Sequence, residues 1–301
     1  MVDLSPHHLG AFIALLGALL ISVQYIFVRL ATQHGTVPEV ILVSLVCNVV
    51  IVLPPALIWS SFSMGLEAVA YFVAAGIVGS LVARICIFKS IHLIGASRTS
   101  PIVSANALFA VILAVLILDE TLTAIHFAGV IMIVGGITLV TRETAENTSR
   151  DLDRKEFLTL LALPLAAAML ISFEPIFISL GLSSGAEILP GIAIMVGAAC
   201  IGYIAYLATI NELPSIDLVT KPYAKWYLGA GITTTAGFLA YFAALELAPV
   251  SVVVPLLQTT PLLTALLAAI LLPTTLERVT KPVVIGAAIV VLGAALVTAF
   301  G

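Results

Sequence analysis

The sequence predicts an all-α membrane protein of ten transmembrane helices, arranged as two inverted five-helix repeats, and three features carry that prediction. First, 61% of its 301 residues are hydrophobic and only 9% are charged, whereas a soluble domain carries about a quarter charged residues. With a mean hydropathy of +1.23, the chain cannot make a soluble surface. Second, apolar runs of roughly the 20 residues needed to cross a ~30 Å hydrocarbon core follow one another from end to end. Third, the two halves of the chain repeat each other. The net charge of −4 says little about partners, because most charges fall between the runs.

The runs, in order, are Leu9–Leu30, Val37–Trp59, Ala68–Phe88, Pro101–Leu118, Ala124–Val140, Phe157–Leu180, Ile188–Ile210, Tyr227–Leu247, Ser251–Leu272 and Val283–Phe300. Each is read as a helix, since lipid offers no partner to open backbone groups and only helices or closed barrels satisfy them internally. The runs lack period-two alternation, which excludes a barrel. The residues before Leu9 lack a basic n-region and lead straight into a full-length span, so that span is read as a retained helix and not a cleaved signal peptide. Between the fifth and sixth runs, Thr141–Glu156 holds nine charged residues and is the one shift in composition. It divides the chain into a first repeat (1–141), a polar connection (142–156) and a second repeat (157–301).

The repeat is visible residue by residue. Leu-Leu-Ile-Ser-Val-Gln-Tyr-Ile-Phe (19–27) lies over Met-Leu-Ile-Ser-Phe-Glu-Pro-Ile-Phe (169–177), which makes Ser22/Ser172, Phe27/Phe177, Leu30/Leu180 and Gly35/Gly185 identical pairs. At an offset of 154, Phe88, Ser97, Pro101, Thr121 and Leu122 overlie Phe242, Ser251, Pro255, Thr275 and Leu276. After a three-residue insertion, Gly129 and Gly136 overlie Gly286 and Gly293. Five is an odd number of crossings, so a second copy must enter from the opposite face. That inverted duplication is the architecture of many secondary transporters, with a central site where the halves meet.

Several functions find no support in the residues. Cys47, Cys86 and Cys200 lie far apart inside apolar runs, with no CxxC or Cys/His spacing, so neither a disulfide framework nor a metal site is expected. No cofactor motif, nucleotide-binding glycine loop or catalytic cluster is present, and nothing basic or aromatic-interleaved points to nucleic acid. A membrane-embedded enzyme lacks its clustered catalytic groups. A channel or structural membrane subunit remains the alternative to a carrier, and electrical recording separates the two.

The segment Asp-Glu-Thr-Leu-Thr-Ala-Ile-His-Phe-Ala-Gly (119–129), with Gly129 nine residues after Glu120 and Gly136 seven further on, resembles the signature of the EamA-like, ten-helix branch of the drug/metabolite transporter superfamily. Phe88-Lys89-Ser90-Ile91 is similar to that family's join between its third and fourth helices. The second half fits with Pro261, Gly286 and Gly293, but has Thr274 at the acidic position, with Glu277 as the nearest carboxylate; Ala107 stands opposite Pro261 and Asp119 where a glycine is usual. The resemblance implies export of small metabolites, amino acids or drugs without ATP, by a multi-pass protein of the cell membrane. The expected partners are a small-molecule substrate, the bilayer and a proton or other coupling ion, with a monomer as the working unit.

Two formally charged residues sit well inside the runs, Arg84 and Glu174. An ionisable group in a membrane helix costs a few kcal/mol or more and faces a protein interior or a watery path. Arg84 lies about 7.5 Å along a helix from Lys89, so it either snorkels to the interface or serves as a substrate or counter-ion group. Glu174 precedes Pro175, whose missing N–H favours irregular backbone, and a carboxylate there is a substrate or coupling site or else a buried structural group. Its repeat mate is the uncharged Gln24. Asn106 and Gln258, with Ser104, Thr259 and Thr260, are candidates to line a cavity in the fourth and ninth helices, and Tyr241 and Tyr25 join them. Such residues serve as often to bind helices together.

Numbering each loop by the helix it follows, the odd loops and adjoining helix ends hold Arg29, Arg84, Lys89, Arg98, Arg142, Arg150, Arg154, Lys155, Lys221, Lys225, Arg278 and Lys281, which is every Lys and Arg of the chain. Orientation follows such counts in short loops, so the odd side is placed in the cytoplasm and both termini outside. The family resemblance implies cytoplasmic termini instead.

Overall fold

The computed structural model describes residues 6–109, 113, 124–147, 154–214, 218, 220–248, 253 and 256–299. Among the described residues ten helices follow the predicted order: α1 Pro6–His34, α2 Val37–Trp59, α3 Leu66–Ile94, α4 Ala96–Val103, α5 Ala124–Asn147, α6 Arg154–Ser183, α7 Ile188–Thr209, α8 Ala224–Leu247, α9 Thr260–Leu271 and α10 Lys281–Ala299. No strand occurs among those residues. By length and composition five described stretches suffice to cross a membrane: His8–His34, Val37–Trp59, Leu66–Ile94, Leu160–Ser183 and Ile188–Thr209. Phe127–Val140, Thr260–Leu271 and Lys281–Leu296 are shorter apolar helices.

Local chemistry explains where helices start and where the expected bounds move. Thr36 caps α2: its Oγ1 accepts from the Glu39 amide at 3.4 Å, and the Thr36 amide donates to the Glu39 carboxylate at 3.1 Å, a reciprocal pair that satisfies two otherwise orphaned donors. The third helix runs past Phe88 to Ile94, and the fourth begins at Ala96, one turn before Pro101. Gly95, at φ +94°, supplies the left-handed residue that ends one helix and starts the next. Pro101 then lies inside α4, where it has no N–H for the Ser97 carbonyl. The described residues at both ends of the expected polar connection are helical, since α5 reaches Asn147 and α6 starts at Arg154. α6 also remains helical through Pro164 and Pro175, so the broken backbone expected beside Glu174 is not on that helix. It is on the neighbour: α3 is π-helical over Gly76–Val82, an arrangement concentrated at functional sites.

The packing has two-fold character. α5 packs on its repeat mate α10, α2 on α7 and α4 on α9, while α1 on α8 is matched by α6 on α3. A Cβ at Gly136 would lie 2.7 Å from the Gly286 carbonyl, and one at Gly293 would lie 2.7 Å from the Gly129 carbonyl. The crossing of α5 and α10 is therefore antiparallel, with small residues that let the backbones touch.

Turns at 104–105, between α4 and the helical residues 106–109, and at 258–259, between the helical residues 256–257 and α9, lie at positions that the offset of 154 superposes. A serine clamps each turn. Ser22 donates to Ala18 O at 2.7 Å and Thr260 O at 3.2 Å, and Ser172 donates to Ala168 O at 2.8 Å and Asn106 O at 3.3 Å. Identical residues in the two halves thus make the same contacts. The largest apolar cluster gathers α1, α2, α3, α7 and α8 around Ile26, Ile41, Leu45, Phe88 and Tyr227.

Candidate functional site

α2, α3, α6 and α8 bring polar side chains together midway along their lengths. Arg84, on α3 just after the π-helical segment, is 5% exposed. Its Nη1 donates to Asn48 Oδ1 and to Ser44 Oγ, the latter at 3.3 Å. The Asn48 amide in turn donates to Thr235 Oγ1, whose hydroxyl donates to the Gly231 carbonyl at 2.9 Å. Arg84 therefore points inward and does not snorkel. An α2 helix that offers an amide and a hydroxyl in the interior compensates the guanidinium better than a stretched side chain reaching for water. Asn48, Ser44 and Thr235 were not among the expected site residues. Their signal was an amide and hydroxyls within otherwise apolar runs, which says nothing of what they face.

Glu174 enters the cluster from α6 and is 8% exposed. Its carboxyl group rests on Gly79, where any Cβ would overlap it. Among the described residues nothing donates a hydrogen bond to this carboxylate. The ion pairs among the described residues are elsewhere, so Glu174 and Arg84 are more than 4 Å apart. Tyr241 of α8 packs on Phe242 with ring centroids 5.3 Å apart. The cavity beside Asn48 and Thr235, walled by Val52, Met195 and Phe238, has about 10 Å³, roughly the room one water needs.

The other expected residues divide. Gln24 is buried on α1, and among the described residues no hydrogen bond joins it to the cluster. Asn106 follows the turn after α4; its carbonyl takes the Ser172 bond, and its side-chain Oδ1 is buried with no partner among the described residues. Gln258 is half-buried in the turn before α9. Asp119 and Glu120, the acidic positions of the family-like segment, lie outside the described residues.

The odd-loop end carries two further charged clusters that the sequence did not reveal. The Glu277 carboxylate accepts from the amides of Ala96 at 2.9 Å and Ser97 at 2.6 Å, at the N-terminus of α4. Arg29 Nε lies 3.5 Å from the same carboxylate, and its Nη groups donate to the carbonyls of Ile91, His92 and Leu276. Nearby, Glu39 accepts from Lys221 at 2.7 Å and from the Tyr227 hydroxyl at 2.6 Å. These contacts tie α1, α2, α3, α4 and α8 to the loops before α8 and α10. Beside them a cleft of about 350 Å³ is lined by Leu30, Gln33, His34, Trp226, Pro273, Thr275 and Leu276. Among the described residues no group of His, Cys, Asp and Glu has the arrangement of a metal site.

Chemically, the cluster offers a buried guanidinium and a buried carboxyl group that are not within ion-pair distance of each other. The profile of the EamA-like transporter family matches the chain twice, over residues 8–142 and 158–299. Sixteen chains of solved structures match the fold; one, a protein crystal structure, is 17% identical, with 98% of each chain covered, and superposes with a TM-score of 0.65. Among curated proteins none matches in sequence.

Proposed function

The chain belongs to the EamA-like transporter family, and from that premise we propose that it is a secondary carrier, not an enzyme, working by alternating access around the cluster of Arg84, Asn48, Thr235 and Glu174. The observation that carries this reading is the pair of buried opposite charges midway along α3 and α6. Charges so placed cost a few kcal/mol or more and mark substrate and ion pathways. The antiparallel packing of α5 on α10 supports an inverted repeat, in which the two halves rock against each other about a midplane site. The cargo is a small amphipathic metabolite, amino acid or drug, moved outward across the cell membrane by a monomer that needs no cofactor and no nucleic acid.

The Lys/Arg bias places the odd loops in the cytoplasm. Arg84, being interior, drops out of the count, and the other basic residues leave the bias intact. A cysteine placed after Gly301, in a chain whose Cys47, Cys86 and Cys200 are replaced by alanine, is then labelled from outside intact cells. Labelling near Asn147 in its stead would reverse the assignment.

Flux in proteoliposomes tests the carrier. Purified protein is expected to exchange at least one solute from a panel of amino acids, nucleosides and cationic drugs, and Glu174→Gln is expected to fold but lose exchange or its pH dependence. No flux above empty liposomes for any solute, together with a catalytic activity, would overturn the proposal. Exchange by Glu174→Gln equal to the parent would leave Glu174 a structural residue only.

A further inference from the structure

The cleft of about 350 Å³ at the odd-loop end lies apart from the cluster around Arg84, and its volume falls at the lower end of ligand clefts, about 300–1,000 Å³. Its lining changes character along one face of α1. Phe27, Leu30 and the pair Gln33 and His34 follow one another at intervals of three or four residues, the spacing that stacks side chains on one face. Phe27, deepest in the membrane, packs on Trp226 with ring centroids 5.8 Å apart. Leu30 comes next and lines the cleft with Trp226 and Leu276. Gln33 and His34, about 4.5–6 Å further toward the loop, are exposed, as is Thr275 across from them in the lining. The cleft is therefore polar at its loop end and apolar toward the membrane interior.

Around its mouth the charges do not cancel. Glu277 is matched by Arg29, and Glu39 by Lys221. The Lys225 ammonium stands over the Trp226 ring, 4.8 Å from its centroid, and no carboxylate pairs with it among the described residues. Arg278 and Lys281, exposed shortly after Leu276, have no ion pair among those residues either.

We propose that this cleft binds one anionic phospholipid of the surrounding leaflet, with its phosphate between Lys225 and the polar rim of Gln33, His34 and Thr275, and the start of an acyl chain along Leu30 and Trp226. A lipid presents this order of chemistry from the water inward: charged phosphate, polar glycerol, then hydrocarbon. A dissolved phosphate compound has no use for the apolar end, and a zwitterionic lipid brings its own cation against Lys225. Trp226 and Tyr223, at the loop end of α8, are the residue types that concentrate at headgroup depth. On the orientation proposed above, this is the leaflet that carries the anionic lipids. The site does not depend on what the protein carries.

Bromine on a lipid chain quenches tryptophan on contact, and the protein has two tryptophans. Trp226 lines the cleft, and Trp59, 78% exposed, stands at the opposite end of α2. The Trp59→Phe protein is reconstituted in phosphatidylcholine vesicles holding a rising fraction of phosphatidylglycerol, or of phosphatidylcholine, dibrominated near the glycerol end of its chains. Half-quenching of Trp226 is expected at a fraction of brominated phosphatidylglycerol at least about fivefold lower, the factor that one basic residue near an anionic surface contributes. Lys225→Gln should remove about that factor. Thr275→Phe, which fills the cleft and leaves every charge in place, should remove the preference altogether, and the Trp226→Phe protein, reporting from Trp59, should show none. Equal quenching of Trp226 by the two lipids overturns the proposal. So does a preference that survives Thr275→Phe, which is attraction to diffuse surface charge. Relief of the quenching by dissolved glycerol 3-phosphate at the same phosphate concentration overturns it too, because the ligand is then a soluble phosphate.

Discussion

Replacing Glu277 by alanine tests whether the odd-loop end is held by one buried carboxylate. The Glu277 side chain is fully buried, accepts two backbone amides of α4 and faces Arg29, whose side chain is only 12% exposed. Each hydrogen bond to a charged acceptor contributes about 1.5–3 kcal/mol. Removing one partner of a buried ion pair costs about 3–5 kcal/mol because the other charge is left uncompensated. These contributions overlap and are not summed, so the expected loss is about 3 kcal/mol. Glu277→Gln is expected to lose about half of it, since one oxygen still accepts while the new NH2 group faces the second amide. The assay is unfolding in mixed micelles of rising SDS fraction, followed through the fluorescence of Trp226, which lines the cleft beside Leu276. The Arg29→Ala and double variants complete a cycle, in which the double change should cost clearly less than the two singles together. An Ala variant within about 0.5 kcal/mol of the parent, the range of an ordinary surface substitution, would refute the account.

Three further outcomes are expected. Gly136→Leu puts a Cβ 2.7 Å from the Gly286 carbonyl and from Val290 Cγ2, so the same denaturation should show a loss of about 1–3 kcal/mol from overpacking. Gly135→Ala, with nothing within 4 Å, should be harmless. Asn48→Leu removes both the acceptor for Arg84 and the donor to Thr235; it should cost about 3 kcal/mol and abolish solute exchange in proteoliposomes, and unchanged exchange would place the Arg84 contact outside the mechanism. The Lys221 ammonium is raised above its ordinary 10.5, first by its hydrogen bond to Glu39. Its stabilisation is therefore complete below the unfolded value and is lost as pH climbs through the raised one. Lys221→Met should remove that alkaline loss from a stability profile between pH 8 and 12, and an identical profile would count against the contact.

What the sequence determined by itself is the class of protein and its helix plan. The bilayer sets the length of an apolar run, so a span such as Val37–Trp59 is recognised residue for residue. Glycines that permit a backbone crossing cannot be exchanged for larger residues, so Gly129, Gly136, Gly286 and Gly293 kept the register in which the duplication is read. Ser22 and Ser172 were visible as an identical pair, but their shared task, bonding the carbonyls beside the turns after α4 and before α9, was not. Pro101 and Pro255, an identical pair three residues before the turns at 104–105 and 258–259, are a local signal for a break, but they do not tell which neighbouring helix holds it. Arg84 and Glu174 were legible as candidates because charge is rare in an apolar run.

Which way Arg84 points was decided by Asn48 and Ser44 on another helix, and Glu277 found its amides 180 residues away. In lipid every face of a helix is apolar or nearly so, and the hydrophobic pattern that tells inside from outside in a soluble protein is absent. Only the packing of helix on helix assigns a side chain to the interior, and that assignment is made in three dimensions.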